Sequence, residues 1–248
     1  MRILAVAVAV LAVKQGAADP LTLSAESGVF SQYVWRGILE TDGPVLQNSL
    51  TAGWRGAHLN VWTNQDLDSA NGRRGEFAEV DFDAGYDRSL KKAVVSAGAI
   101  HYTFPNTLSA ANTELYAGVT LKALLMPSVK AFFNVGSIHG SYLTFDVSRA
   151  VSLPQLAESV KWSVELAAGA GWGSSSYSQS CFHVREAGWV DFHPSLAVPF
   201  AFSRHWRLTP RLSYASLARS VLGQSVSSAH GFVAGVTLGF TLAESTAR

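Results

Sequence analysis

From residue 21 onward, apolar and polar positions alternate with a period of two. Val160, Trp162, Val164, Leu166, Ala168, Ala170 and Trp172 form one apolar row, with Lys161, Ser163, Glu165, Ala167, Gly169 and Gly171 between them. Phe232, Ala234, Val236, Leu238, Phe240 and Leu242 form another. Ala78, Val80, Phe82, Ala84 and Tyr86 alternate with Glu79, Asp81, Asp83, Gly85 and Asp87. Successive side chains of a strand point to opposite faces, so each row marks one face of an extended segment. No comparable 3.6-residue stripe runs through this region. The pattern predicts twelve strands, at 21–36, 44–55, 57–65, 76–87, 93–104, 113–125, 128–138, 141–152, 159–172, 188–202, 206–217 and 230–242. Strands of soluble proteins usually run about 5–6 residues, whereas a tilted membrane strand needs about 9–11. Most of these segments have the membrane length.

The connections point the same way. Outer-membrane barrels alternate short periplasmic turns with longer external loops. Arg55-Gly56, 88–92, Met126-Pro127 and 203–205 are short, while 66–75, 105–112, 173–187 and 218–229 are long. The tight link at His139-Gly140 and the longer one at 153–158 break the alternation. An even strand number brings both ends to the periplasmic side. Trp54, Trp206 and Trp189 fall near strand ends, where Trp and Tyr favour membrane interfaces. Tyr33 and Trp35 share the lipid-facing parity and are expected at the outer interface. The fold class is therefore all-β: a single transmembrane antiparallel β-barrel of about twelve strands spanning residues 19–248.

A barrel wall needs its charges on one parity, because Arg or Lys facing lipid at the midplane costs about 2–4 kcal/mol. The inward parity collects Glu26, Arg36, Asn60, Trp62, Glu79, Asp81, Asp83, His101, Glu114, Tyr116, Lys122, Lys130, Asn134, Asp146, Lys161, Glu165, Asp191, His193, Arg207 and Arg211. These are the expected lumen-lining residues. Twelve strands lie between a side-chain-filled interior and an open aqueous channel. The charges either line a narrow hydrated pore or pair with one another and lock the lumen. Glu79, Asp81 and Asp83 would form a negative strip. Same-face residues on a strand lie about 6.6–6.8 Å apart, too far for three carboxylates to chelate one ion without further ligands.

Met1-Arg2, the apolar stretch Ile3–Val13 and the small residues Gly16 and Ala18 read as a signal peptide cleaved after Ala18. The apolar run is too short to span a bilayer as a helix. Charged residues make up only 15% of the chain and the formal net charge is +1, which argues against a nucleic-acid partner. One cysteine, Cys181, excludes an internal disulfide framework and a cysteine-based zinc cluster. There is no Gly-x-Ser-x-Gly elbow, phosphate loop or His-x-x-x-His pair. No lipid-facing His flanked by Ser and Asn is apparent either, so neither an enzyme nor a cofactor is expected. The Ser-rich stretch 174–180 reads as a solvated loop.

Ser31, Tyr33, Val34, Trp35, Arg36 and Gly37, followed by Asp42-Gly43-Pro44 and Gln47, resemble the N-terminal signature of the TorF-type porins. These are conserved Gram-negative outer-membrane proteins of unknown function. Val61-Trp62-Thr63-Asn64 resembles that family's second hairpin. The resemblance implies an outer-membrane barrel with a transport role and supplies no catalytic residue. Arg36 is expected at the pore mouth beside Glu40 or Asp42, tethering the first external loop. The partners expected are outer-membrane lipid, small hydrophilic solutes or ions, and the outer-membrane assembly machinery. Passive transport through a narrow charged lumen is the expected function. The alternative is a non-conducting structural or partner-binding barrel locked by salt bridges.

Overall fold

In the computed structural model, residues 21–72, 74–155, 157, 160–218 and 230–243 are described. The signal segment 1–18, most of the loop 218–229 and the tail 244–248 lie outside them. The strands are β1 (Thr22–Phe30), β2 (Tyr33–Trp35), β3 (Ile38–Thr41), β4 (Val45–Trp54), β5 (Ala57–Asp66), β6 (Phe77–Ser89), β7 (Ala93–Thr103) and β8 (Asn112–Leu121). They continue as β9 (Ser128–Asn134), β10 (Gly140–Ser152), β11 (Lys161–Gly173), β12 (Gly188–Phe192), β13 (Ser195–Ala197), β14 (Phe200–Ala201), β15 (Trp206–Leu217) and β16 (His230–Ala243). One helix, α1 (Ser175–Phe182), lies between β11 and β12.

The wall is a closed, antiparallel, 12-strand barrel. Neighbours in sequence pair around it, and β1 closes onto β16 with Thr22 opposite Ala243 and Phe30 opposite Gly235. The short pieces β12, β13 and β14 together make one wall strand between β11 and β15. Its interruptions fall at Pro194 and Pro199, where a ladder donor is missing. Carbonyl pairing continues through both sites, since Tyr214 donates to the Pro194 carbonyl and Ser163 to that of Pro199.

The parity of the wall follows the alternation. Leu50, Leu59, Phe82, Tyr86, Leu115, Leu166, Phe232 and Leu238 stand exposed on the outer face. Glu79, Asp81, Glu114, Asp191 and Val233 are buried inside. Trp54 and Trp206 sit exposed towards the short-turn end and Trp189 towards the long-loop end. No described helix is long and apolar enough to cross a membrane, and the outer apolar surface belongs to strands.

Three expectations change. The first strand ends at Phe30 instead of residue 36, and 31–44 leaves the wall as the hairpin β2–β3. Its tip turns because Arg36 and Gly37 both adopt left-handed backbone, at φ 47° and 79°. A side chain on Gly37 would also meet Leu217 Cδ2 at 2.6 Å and Asp191 Cβ at 2.9 Å. Second, the Ser-rich stretch is the helix α1. Ser174 caps it, its side chain accepting from the Tyr177 amide, and His183 ends it in left-handed backbone. Third, β8 stops at Leu121 and β9 at Asn134, both shorter than the alternation implies.

Candidate functional site

The hairpin β2–β3 and the helix α1 come from different long loops, and both fold into the long-loop half of the lumen. Apolar side chains drive this. Tyr33 and Val34 are buried with Phe30, Val45 and Val233, while Tyr177 and Phe182 are buried with Tyr142, Val190 and Leu217. Burying a large apolar side chain is worth about 1.5–3 kcal/mol relative to leaving it in water. Tyr33 and Trp35 therefore face inward, against expectation. The Tyr33 hydroxyl donates to Glu79 at 2.8 Å and its ring packs on Trp62, while Trp35 meets the edge of Tyr102.

Arg36, at the hairpin tip, is the centre of this plug. It does not pair with Glu40 or Asp42 at the mouth. It crosses the lumen to Glu114 on β8, making two hydrogen bonds of 2.8 Å in a bidentate fork. Tyr102 donates to the same carboxylate at 2.6 Å. The guanidinium carbon lies 4.1 Å from the Tyr142 ring centre, 4.5 Å from Trp35, 4.6 Å from Phe132 and 5.8 Å from Tyr177. A planar, weakly hydrated cation suits such an aromatic enclosure. Both partners are buried, Glu114 completely.

A second cluster braces the cage. Tyr142 donates to Asp191 at 2.6 Å. His193 lies between Asp191, 2.6 Å from Nδ1, and Asp146, 3.0 Å from Nε2. Towards the short-turn end the charges are looser and wetter. Arg207 lies 3.6 Å from Glu26, and both side chains are part-exposed. Tyr116 donates to Asp83 at 3.1 Å, and His58 stands 3.5 Å from Asp87. Lys130 sits 3.7 Å above the Tyr116 ring, and Asn60 donates to Ser49 and Thr51. Asp81 is buried on the strip with Glu79 and Asp83, and Asn134 accepts from Asn112. Glu165 and Arg211 share the inward parity on β11 and β15, and Lys161 lies exposed at the start of β11.

Two of the expected lumen residues lie elsewhere. His101 pairs across the ladder with the outward Phe82, so it faces out, where its Nδ1 meets the Thr113 hydroxyl at 2.9 Å. The β7 residues that point inward are Ile100 and Tyr102. A histidine beside a hydroxyl thus does occur on the outer wall, although the flanking group is a threonine. Lys122 lies past the end of β8, exposed, donating to Ser89 and the Leu90 carbonyl at the rim. Four site residues are absent from the expected set: Tyr102, Tyr142 and the pair Thr41–Asp66, whose hydroxyl donates to the carboxylate at 2.9 Å. Tyr102 and Tyr142 share the parity of the inward charges and were legible on that basis.

A family model described as a bacterial protein of unknown function (Gcw_chp) matches residues 14–192. Comparison with curated proteins finds no match. Solved barrels align along nearly their whole length. The "KdgM porin" gives a TM-score of 0.51 at 11% identity, covering 88% of this chain and 97% of that one. The COG4313 outer membrane channel from Pseudomonas putida F1 gives 0.52 at 9% identity, covering 93% of this chain and 100% of that one. "KdgM porin in complex with disordered oligogalacturonate" gives 0.50 at 8% identity, covering 89% and 97%. At such identities the likeness is one of fold: a closed outer-membrane-type barrel.

Proposed function

We propose, for a chain that belongs to the Gcw_chp family of bacterial proteins of unknown function, a non-enzymatic outer-membrane channel that passes small hydrophilic solutes and rests with its mouth plugged. The observation that carries this reading is the division of the lumen. Its long-loop half is narrowed by the buried Arg36–Glu114 cage, while its short-turn half holds part-exposed charges such as Glu26, Arg207 and Asp87. Part-exposed charges along one half suit ion and solute passage. The plug is built from two loop segments, not from the wall, so it can move without opening the barrel. The lumen-lining set follows the inward parity, from Glu26, Arg36, Asn60, Glu79, Asp81, Asp83, Glu114 and Lys130 to Asp146, Lys161, Glu165, Asp191, His193, Arg207 and Arg211. The channels among the similar folds and the TorF-type signature at 31–47 support the reading. Residues 1–18 then serve export, and the assembly machinery inserts the mature barrel with its long-loop end outside.

Membrane embedding is tested on the outer wall. Leu166 is 54% exposed near the middle of β11. Leu166→Arg is expected to cost about 2–4 kcal/mol when the protein is unfolded by urea from phospholipid vesicles. A surface substitution facing water usually stays within about 0.5 kcal/mol, and a change that small would sink the embedding.

Conduction is tested in planar bilayers. Wild-type protein should show small or infrequent steps. Replacing residues 32–42 by a short Gly-Ser link should give large, steady ones. If the shortened protein is folded and remains silent, the locked barrel is the better reading. The buried Arg36–Glu114 pair taken alone favours that alternative.

A further inference from the structure

The wall keeps nearly every charge off its outer face. Among the described strand residues of the wall, Arg88 and Arg149 are the only Asp, Glu, Lys or Arg on the outward parity. Arg88 lies opposite Val95 and Arg149 opposite Leu166, both exposed on the outer face. Both arginines stand at the short-turn end, one residue before the end of β6 and, on β10, past the last residue paired with β9. An outward charge is costly at the bilayer midplane and nearly free at its edges. Between the two arginines, the turns 90–92 and 122–127 add the exposed Lys91, Lys92 and Lys122. Lys122 ties these turns together. Its amide donates to the Lys92 carbonyl at 2.9 Å and its ammonium to the Leu90 carbonyl at 2.7 Å. Arg149 donates to the Leu124 carbonyl at 3.1 Å, which folds the second turn back on the wall. The five cations form one arc over β6–β10, about 20 Å long at the usual strand spacing. Among the described residues no Asp or Glu faces outward on this arc, and none pairs with any of the five. Asp87, next to Arg88 in sequence, points inward to His58. We propose that this arc binds anionic phospholipids, its cations taking the phosphodiester groups while the acyl chains lie along the wall.

The surroundings of the arc point to a lipid and not to a soluble anion. Leu124 and Leu125 are 71% and 50% exposed in the turn itself, and Tyr86, Leu121 and Val147 stand exposed on the wall beside the cations. Long Lys and Arg side chains lie along such apolar surface and keep their charged ends at headgroup level. Apolar contact and positive charge therefore face the same way, sideways into the bilayer. A guanidinium fork also matches two oxygens of a phosphate. A zwitterionic lipid brings its own ammonium against the arc, so the discrimination is between headgroups of different net charge. Each Lys or Arg close to an anionic membrane surface contributes about fivefold. The attraction reaches about a Debye length, roughly 10 Å at 0.1 M, so added salt weakens it. The inference rests on the membrane embedding of the wall and needs no conduction. With the long-loop end outside, the arc meets the periplasmic leaflet.

Refolded protein in a neutral detergent is titrated with phosphatidylglycerol or with phosphatidylcholine of the same acyl chains, and bound lipid is counted by native mass spectrometry. At low salt phosphatidylglycerol should bind about tenfold more tightly, and the preference should shrink several-fold at high salt. The quadruple variant Arg88→Gln/Lys91→Gln/Lys92→Gln/Arg149→Gln should bind the two lipids alike. Arg204→Gln, which removes a cation from a short turn away from the arc, should keep the preference. Equal affinity of the wild type for both lipids overturns the proposal, and so does a preference that survives in the quadruple variant. Glycerol 3-phosphate at equal concentration should not displace the lipid. Full displacement would mark a site for free phosphate and overturn the lipid surface. If the quadruple variant fails to fold, the pairs Arg88→Gln/Arg149→Gln and Lys91→Gln/Lys92→Gln should each lose about threefold of the preference, and no loss in either overturns it. A failure of the embedding shows separately, in the response to Leu166→Arg.

Discussion

Arg36→Ala is expected to release the plug while the wall stands. The substitution leaves Glu114 buried without the guanidinium that met both its oxygens, and it empties the space between Trp35, Phe132, Tyr142 and Tyr177. Removing one partner of a buried ion pair typically costs about 3–5 kcal/mol. The low end, about 3 kcal/mol, applies here because the Tyr102 hydroxyl still donates to Glu114. The cost falls on the hairpin, which is also held by the packing of Tyr33 and Val34, by the Tyr33–Glu79 hydrogen bond of 2.8 Å and by the Thr41–Asp66 hydrogen bond of 2.9 Å. Amide exchange in 33–41 should therefore quicken by a hundredfold or so, about 3 kcal/mol at the usual 1.4 kcal/mol per decade. Exchange in the paired wall strands should hold. In bilayers the open probability should rise with it. Arg36→Lys should recover little, because an ammonium cannot make the bidentate fork or stack flat in the cage. Unchanged exchange in the hairpin and unchanged conductance together would mean that Arg36 does not hold the plug.

His193→Leu should be the more damaging change to global stability. In its absence Asp146 and Asp191, which approach the two nitrogens of one ring, face each other with no cation between. Asp191 is 2% exposed, and Tyr142 depends on it for its hydrogen bond. The loss should reach about 3–5 kcal/mol in urea unfolding from vesicles, the range for a buried charge stripped of its partner. Replacing both aspartates by asparagine in the same protein should restore much of it, since the repulsion then disappears. Stability equal to wild type in the single variant would show that the three groups are not energetically coupled.

The wall was legible because lipid on one side and water or charge on the other force strict alternation. Eleven of the twelve expected strands recur within a few residues, and Glu79, Asp81, Asp83 and Glu114 all point inward as the parity requires. The plug was not legible, for a physical reason. Tyr33 and Trp35 continue the alternation of β1 without a break, and only the left-handed pair Arg36-Gly37 and the contacts across the lumen turn them inward. The helix α1 is short, rich in serine and weakly amphipathic, and its stability comes from burying Tyr177 and Phe182 against strands remote in sequence. Polarity alone puts His101 on the wrong face, because the inward parity is odd on β6, with Asp81 opposite Tyr102, and even on β7. Its polarity suggested the lumen, while the ladder partner Phe82 fixes it outside.

The interrupted wall strand has a mechanical consequence. Three of the chain's eight prolines, Pro194, Pro199 and Pro210, lie on the two adjacent wall strands formed by β12–β14 and β15. Each deletes a donor from the lattice of bonds that resists shear. The seam where the chain ends meet, by contrast, is an unbroken run from Thr22–Ala243 to Phe30–Gly235. Pulled apart by force, this cylinder should tear beside its prolines before it unzips where its two ends join.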